Sequence, residues 1–234
     1  MKFSVIITGY NCEEYVKECI DSVLAQTYKD YQLFICDDAS EDNTEIISHG
    51  YKYGVHVNEV NLGALDMRHH IVNYEATGDI VVFLGMDDKL EPNALEVLAE
   101  AYKDENIKMT YGSWRTFDRQ GMIAKPYPSQ VFKDKSFRKH KWLATSLNSF
   151  KRELLLQVPI EKLIDPRTDK FFTNCTDLAY SFPCLEMCEE HEVAVIRKCI
   201  YVYRHDHGNT TLKRLGREHK TETREILRNM TPCV

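Results

Sequence analysis

FSVIITGYNCEEYVKECIDSVLAQTYKDYQLFICDD, Phe3 to Asp38, is the stretch on which the fold turns. FSVIIT is β-branched and apolar, so it reads as a buried strand. Tyr15, Cys19, Ile20, Val23 and Leu24 then recur at helical spacing. Asn11 is expected to cap that helix, with Glu14 three residues on, as in a capping box. YQLFIC, Tyr31 to Cys36, is a second buried strand, and it runs into two carboxylates, Asp37 and Asp38. IVVFLGMDD, Ile80 to Asp88, repeats the move with Asp87 and Asp88. Adjacent like charges oppose each other's ionisation unless a cation or strong donors face them. A solvated turn is the plain reading of either pair; a metal site is the other.

Between these strands, SEDNTEII starts a helix with Ser40 as its cap, and GVHV (Gly54–Val57) is a short strand. NLGALDMRHHIVNYEATG is a loop, then a helix stopped by Gly78. EPNALEVLAEAYKDE is a helix with Pro92 in its first turn, where a missing N–H costs little. Apolar strands alternating with helices predict an α/β fold with a parallel sheet covered on both faces. Ligands of such sheets lie beyond the carboxyl ends of the strands. Three polar segments meet at that edge: Thr8-Gly9-Tyr10-Asn11, Asp37-Asp38 and Asp87-Asp88.

After Ile107 the pattern changes. IKMTYGSWRTFD and GMIAKPYP read as antiparallel strands, and VFKDKSFRKHKW as basic and irregular. NSFKRELLLQV and TDLAYSFPCLEMCEEH read as helices, EVAVIRKCIYVYRHD as a strand and TLKRLGREHKTETREILRN as a charged terminal helix. The expected organisation is one domain over 1–234, with a nucleotide-sugar-binding half (1–106) and an acceptor-binding half (107–234). The terminal helix is expected to dock on that domain, with peripheral membrane contact as the alternative.

The formal net charge of -6 argues against nucleic acid as a partner. No run of apolar residues reaches the ~20 that a membrane span needs. The eight cysteines contain no paired CxxC motif, which argues against a zinc site. With no export signal at the start of the chain, they read as reduced thiols of a cytoplasmic protein.

The ordered set FSVIITGYN, SVLAQTY, DDASEDNT, NLG and ATGDIVVFLGMDDKLEP resembles the large inverting glycosyltransferase family 2, of GT-A fold. The likeness is dense over Lys2 to about Ala101 and thin beyond. Two departures stand out. Gly85 replaces the outermost Asp of the D-x-D-D that many relatives carry, and MRHH (Met67–His70) stands where ARN is usual.

The resemblance implies a UDP-sugar donor, a sugar, lipid-linked or protein-linked hydroxyl as acceptor, and Mn²⁺ or Mg²⁺ to neutralise the leaving diphosphate. Asp88 is the expected metal ligand, with Asp87 on the ribose or supporting the metal. Asp38 is expected to accept the uracil N3–H, with Thr8, Tyr10 and Asn11 framing the uridine; for Tyr10, simple packing is the alternative. Asp177, at a helix start, is the expected general base, with a helix-dipole role as the alternative and Asp165, Asp169 and Glu186 as rivals. In YVYRHDHGNTT, His205 or His207 is expected to reach the metal or diphosphate, and Arg204 a phosphate. His69 and His70 read as an exposed helix pair. Two other functions stay open: a nucleotide-sugar-binding module without catalysis, and a sugar nucleotidyltransferase. The latter lacks the Gly-rich basic loop it would need after the first strand.

Overall fold

The computed structural model describes residues 1–204 and 211–233, leaving aside the side chains of 211–215 and 217. The first half runs β1 (Phe3–Gly9), α1 (Val16–Leu24), β2 (Tyr31–Asp37), α2 (Thr44–His49), β3 (Val55–Val57), α3 (Ala64–Tyr74), β4 (Ile80–Gly85), β5 (Lys89–Leu90) and α4 (Ala94–Ala101). The second runs β6 (Met109–Thr116), β7 (Gly121–Met122), α5 (Ser129–Lys133), β8 (Ser149–Lys151), α6 (Arg152–Leu155), β9 (Ile164–Asp165), β10 (Lys170–Phe171), α7 (Thr176–Met187), β11 (Val193–Tyr203) and α8 (Thr211–Asn229).

One sheet crosses both halves in the order β3-β2-β1-β4-β8-β6-β11-β5, with β7 beside β6. β3, β2, β1 and β4 are parallel. β8 is antiparallel to both β4 and β6, and β11 runs parallel to β6. The register sets Thr8 beside Cys36 and Gly85, and Gly9 beside Asp37, so the polar strand ends share one rim. Alternation along β1 feeds two cores. Val5 and Ile7 join Val16, Ile20 and Leu95 on one face. Ile6 joins Leu65, Ile71, Phe150 and Tyr180 on the other.

Several local expectations give way to long-range partners. α1 begins at Val16 with no side-chain cap. Asn11, at φ 52, instead accepts the Glu41 N–H (2.8 Å) and donates its own N–H to Ser40 (2.8 Å). Ser40 does not cap α2; its hydroxyl donates to the wholly buried Asp37. The loops after β1 and β2 thereby hold each other, with Cys12 N–H on Thr44 (2.7 Å) as a further tie. In NSFKRELLLQV the start of the expected helix is β8, because Ser149 and Phe150 fill the gap between β4 and β6.

The basic stretch is partly structural. Arg138, 5% exposed, pairs with the wholly buried Glu186 at 2.5 and 3.0 Å. Losing one partner of such a pair costs ~3–5 kcal/mol. α8, broken at Gly216, docks on this region: Leu227 is buried, and Arg228 donates to the carbonyls of Arg138 and His140. Cys12, Cys19, Cys36, Cys175, Cys184 and Cys188 are buried free thiols. Among the described residues no helix is long and apolar enough to cross a membrane.

Candidate active site

Two adjoining pockets open at the rim. The first, about 160 Å³, is walled by Thr8, Tyr10, Asp38, Asn61, Gly63 and Asn174, among others. The second, about 290 Å³, takes Arg68, Asp88, Asn148, Asp177, Tyr180 and Lys220 into its wall. Asp87 and Thr176 line both.

Asp38 is 3% exposed and accepts from the Asn58 amide (2.8 Å), the Leu62 N–H (2.9 Å) and the Gly63 N–H (2.7 Å). The carboxylate therefore shapes the NLG loop that walls the first pocket. Gly63 sits at φ 91, and a Cβ there would approach the Thr173 backbone to 3.0 Å, so the loop needs glycine. Asn11 braces the wall from behind rather than lining it.

The two carboxylates after β4 part company. Asp88, 5% exposed, accepts from the Tyr201 hydroxyl on one oxygen and the Arg204 N–H (2.7 Å) on the other. Burial, then the charge of Asp87, push its carboxyl well above the usual carboxylate range. Asp87 is half-buried and faces both pockets. A Cβ on Gly85 would come within 2.7 Å of Asp87 Oδ1 and 3.1 Å of Asp88 Oδ2, so a side chain there would require the two carboxylates to shift.

Arg204 lines neither pocket. Its guanidinium lies between the rings of Tyr15 (4.4 Å) and Phe117 (3.9 Å) and donates to Glu18 (2.7 Å), while its Nε donates to the Asp87 carbonyl (3.0 Å). It pins the carboxylate turn from outside the two pockets. His205 and His207 lie outside the described residues. Among those described, no cluster of three His, Cys, Asp or Glu is arranged to hold a metal.

Asp177 stands in the first turn of α7, open to solvent from the second pocket. Although it is exposed at the pocket, the protein mass around that concave site displaces bulk water and pushes its carboxyl above the ordinary range, against the opposing pull of the Leu178 N–H, Lys220 and Arg68. Of its rivals, Glu186 is consumed by Arg138 and Asp165 by Arg167 (2.6 Å). Neither they nor Asp169 line either pocket.

Arg68 is a pocket-lining residue that sequence reading missed. It donates to Thr8 (2.9 Å) and Thr176 (3.1 Å), tying the β1 end to the α7 start, with its guanidinium 5.0 Å from the Phe83 ring centre. Enclosure lowers its pKa from the usual arginine value. A signal existed: Arg68 shares the helix face of Leu65, Ile71 and Val72, all buried, so MRHH carries a cation on an apolar stripe. His69 packs beside Phe171 (5.2 Å), whereas His70 is exposed and pairs with Glu75 (3.2 Å).

Residues 4–155 match the family model described as Glycosyl transferase family 2. The chain is 36% identical over 130 residues to a chondroitin synthase of Pasteurella multocida, a match covering 53% of this chain and 13% of that protein. It is 32% identical over 125 residues to Escherichia coli WfgD, a UDP-Glc:alpha-D-GlcNAc-diphosphoundecaprenol beta-1,3-glucosyltransferase, covering 52% and 49%. It thus spans less than half the length of either relative. Among solved structures, Staphylococcus aureus TarS 1–349 with UDP-GlcNAc superposes with a TM-score of 0.63 at 19% identity, over 89% of this chain and 60% of that one. Glucosyl-3-phosphoglycerate synthase of Mycobacterium tuberculosis, with Mn²⁺, UDP and glucosyl-3-phosphoglycerate, gives 0.65 at 18% identity, over 99% and 81%. The shared architecture is the GT-A fold.

Proposed function

Because the chain belongs to glycosyl transferase family 2, we propose that it is a metal-dependent, inverting transferase that moves a sugar from a UDP-sugar to an acceptor hydroxyl. One observation carries the reading: Asp177 and Asp87 open into the same pocket, and Asp87 also faces the neighbouring one. A proton acceptor and a carboxylate suited to a diphosphate-bound cation thus address a single reacting centre. That Mn²⁺ and UDP occupy a structural neighbour supports the assignment.

The first pocket takes the uridine. A carboxylate offers about four lone-pair sites and Asp38 uses three internally, leaving one for the uracil N3–H. Tyr10 supplies a wall for the nucleoside.

The donor set suits Mn²⁺ or Mg²⁺, which bind through one or two carboxylates with phosphate oxygens and water completing the shell. Since Asp88 is nearly closed off and already holds Tyr201 and Arg204, while Asp87 is half-buried and faces both pockets, we assign the metal-facing role to Asp87 and make Asp88 its buried support. When bound, the cation supplies Lewis-acid neutralisation of the diphosphate. Arg68, on the wall between the pockets, adds a fixed positive charge near the leaving group.

Asp177 takes the acceptor's proton as the hydroxyl oxygen bonds to the anomeric carbon from the face opposite UDP. The carbon–oxygen bond to the diphosphate breaks, its electron pair leaves with UDP, and the configuration inverts. An elevated carboxyl pKa makes Asp177 a stronger base than an ordinary aspartate.

A uracil reader at Asp38 makes the nucleotide preference measurable. With Mn²⁺ present, UDP is expected to bind roughly ten- to a hundredfold more tightly than CDP, the worth of one charge-assisted hydrogen bond. Titration calorimetry checks this, and equal affinities would remove Asp38 from that role.

A further inference from the structure

We infer that Asn148 and Tyr180 are specificity residues that read the hydroxyl groups of the transferred sugar from the floor of the second pocket, an assignment that rests on the transferase reading above. Five buried side-chain polar atoms have no hydrogen-bond partner among the described residues: Ser48 Oγ, Arg68 Nε, Asn148 Oδ1, Asn174 Oδ1 and Tyr180 Oη. Buried polar groups are nearly always paired, so each exception asks for a cause. Four of the five belong to residues lining the two pockets, three of them the second. Packing faults would scatter through the core. A shared wall is where a ligand supplies the missing partners.

The second-pocket groups are held in place. Asn148 is 7% exposed, and its amide nitrogen donates to the hydroxyl of Ser181 (3.1 Å), which leaves Oδ1 as the atom to be satisfied. Tyr180 is 2% exposed and stacks on Phe83 with ring centres 5.2 Å apart, and the Arg68 guanidinium lies 5.0 Å from the same Phe83 ring centre. Tyr180 and Ser181 follow Asp177 by three and four residues, one turn along the same helix face. A ring presenting its anomeric carbon to Asp177 therefore extends over Tyr180 and Asn148.

The unmet groups match a sugar. Asn148 Oδ1 needs a donor, Arg68 Nε needs an acceptor and the Tyr180 hydroxyl serves as either, while a sugar hydroxyl both donates and accepts. The ring is the transferred one because this pocket shares Asp87 and Thr176 with the first, so it continues from the nucleotide.

Tyr180→Phe and Asn148→Leu remove the hydrogen-bonding atoms and keep the bulk. The test compares each with the parent for UDP binding, and for turnover of UDP-glucose, UDP-galactose, UDP-N-acetylglucosamine and UDP-glucuronate with Mn²⁺. A site built to pair with hydroxyls discriminates strongly, and less so once its own groups are gone. The parent's preference for its best donor is expected to narrow about tenfold or more in each variant, with UDP affinity within about twofold of the parent. Tyr180→Phe should melt at or above the parent's temperature, since it deletes an unsatisfied hydroxyl. Variants that keep the parent's preference in full overturn the assignment. So does a marked fall in melting temperature for Tyr180→Phe, which makes the hydroxyl structural. A parent that binds neither UDP nor any of the four donors instead contradicts the transferase reading itself.

Discussion

Asp177→Asn is expected to lose sugar transfer by about 10²–10⁴-fold while UDP and Mn²⁺ binding hold near parent values. The substitution keeps size and polarity and removes basicity. Asp177 lines the second pocket and not the first, so the nucleotide should not sense the change. A pH profile separates this role from a structural one. Surrounding protein pushes the Asp177 carboxyl above the ordinary aspartate range, so its basic form is lost at a higher pH than an exposed aspartate would lose it. kcat/KM of the parent should therefore fall as pH drops through that raised pKa, and the acid limb should vanish from the residual rate of Asp177→Asn. A near-parent rate in the variant would remove Asp177 as the base. Collapse of UDP binding would make it structural.

Asp87→Asn and Asp88→Asn are expected to fail differently although the residues are adjacent. In the parent, UDP with Mn²⁺ at about a hundred times its dissociation constant should raise the melting temperature by roughly 5–10 °C. Asp87→Asn should fold like the parent and lose most of the Mn²⁺-dependent part of that rise. Asp88→Asn should melt lower without ligand, because its carboxylate holds the Tyr201 hydroxyl and the Arg204 N–H in a buried setting. An amide offers one acceptor oxygen in place of two, so one of these buried donors loses its partner at about 1–3 kcal/mol, and roughly 2–4 °C per kcal/mol follows at this chain size. Thermal melts of the two variants with UDP, with and without Mn²⁺, decide between them. The reverse pattern, an intact Asp88→Asn that ignores Mn²⁺, would return the metal to Asp88.

The proposed division of roles between Asp87 and Asp88 was not legible in the sequence. Asp87 and Asp88 look alike in a string; what distinguishes them is the end of β11, with Tyr201 and Arg204 lying 113 and 116 residues from Asp88. The parallel half was legible because strands covered on both faces must be apolar throughout, as in FSVIIT and IVVFLG, and because the helices between them keep a 3.6-residue rhythm. The family model runs to residue 155, but legibility thins earlier, after about Ala101. From β7 to β10 the strands are only two or three residues long, and β8 exists through pairing with β4 and β6, which are distant in the chain. β8 hides at the start of a helix-like run for that reason. The failed caps have the same cause: Asn11 and Ser40 have cap chemistry, but partners some 30 residues apart in the chain claim them first. Arg68 was readable as a cation on an apolar helix face, yet its partners Thr8 and Thr176 come from opposite halves.

Donor turnover followed by proton NMR tests the proposed chemistry most directly. The protein is given an α-linked UDP-sugar and Mn²⁺ with water as the only acceptor, and the anomeric signal is read before mutarotation. Inverting, metal-dependent transfer yields UDP together with the β-anomer, and chelation of the metal stops both. Release of the α-anomer, or turnover unchanged by the chelator, would contradict it.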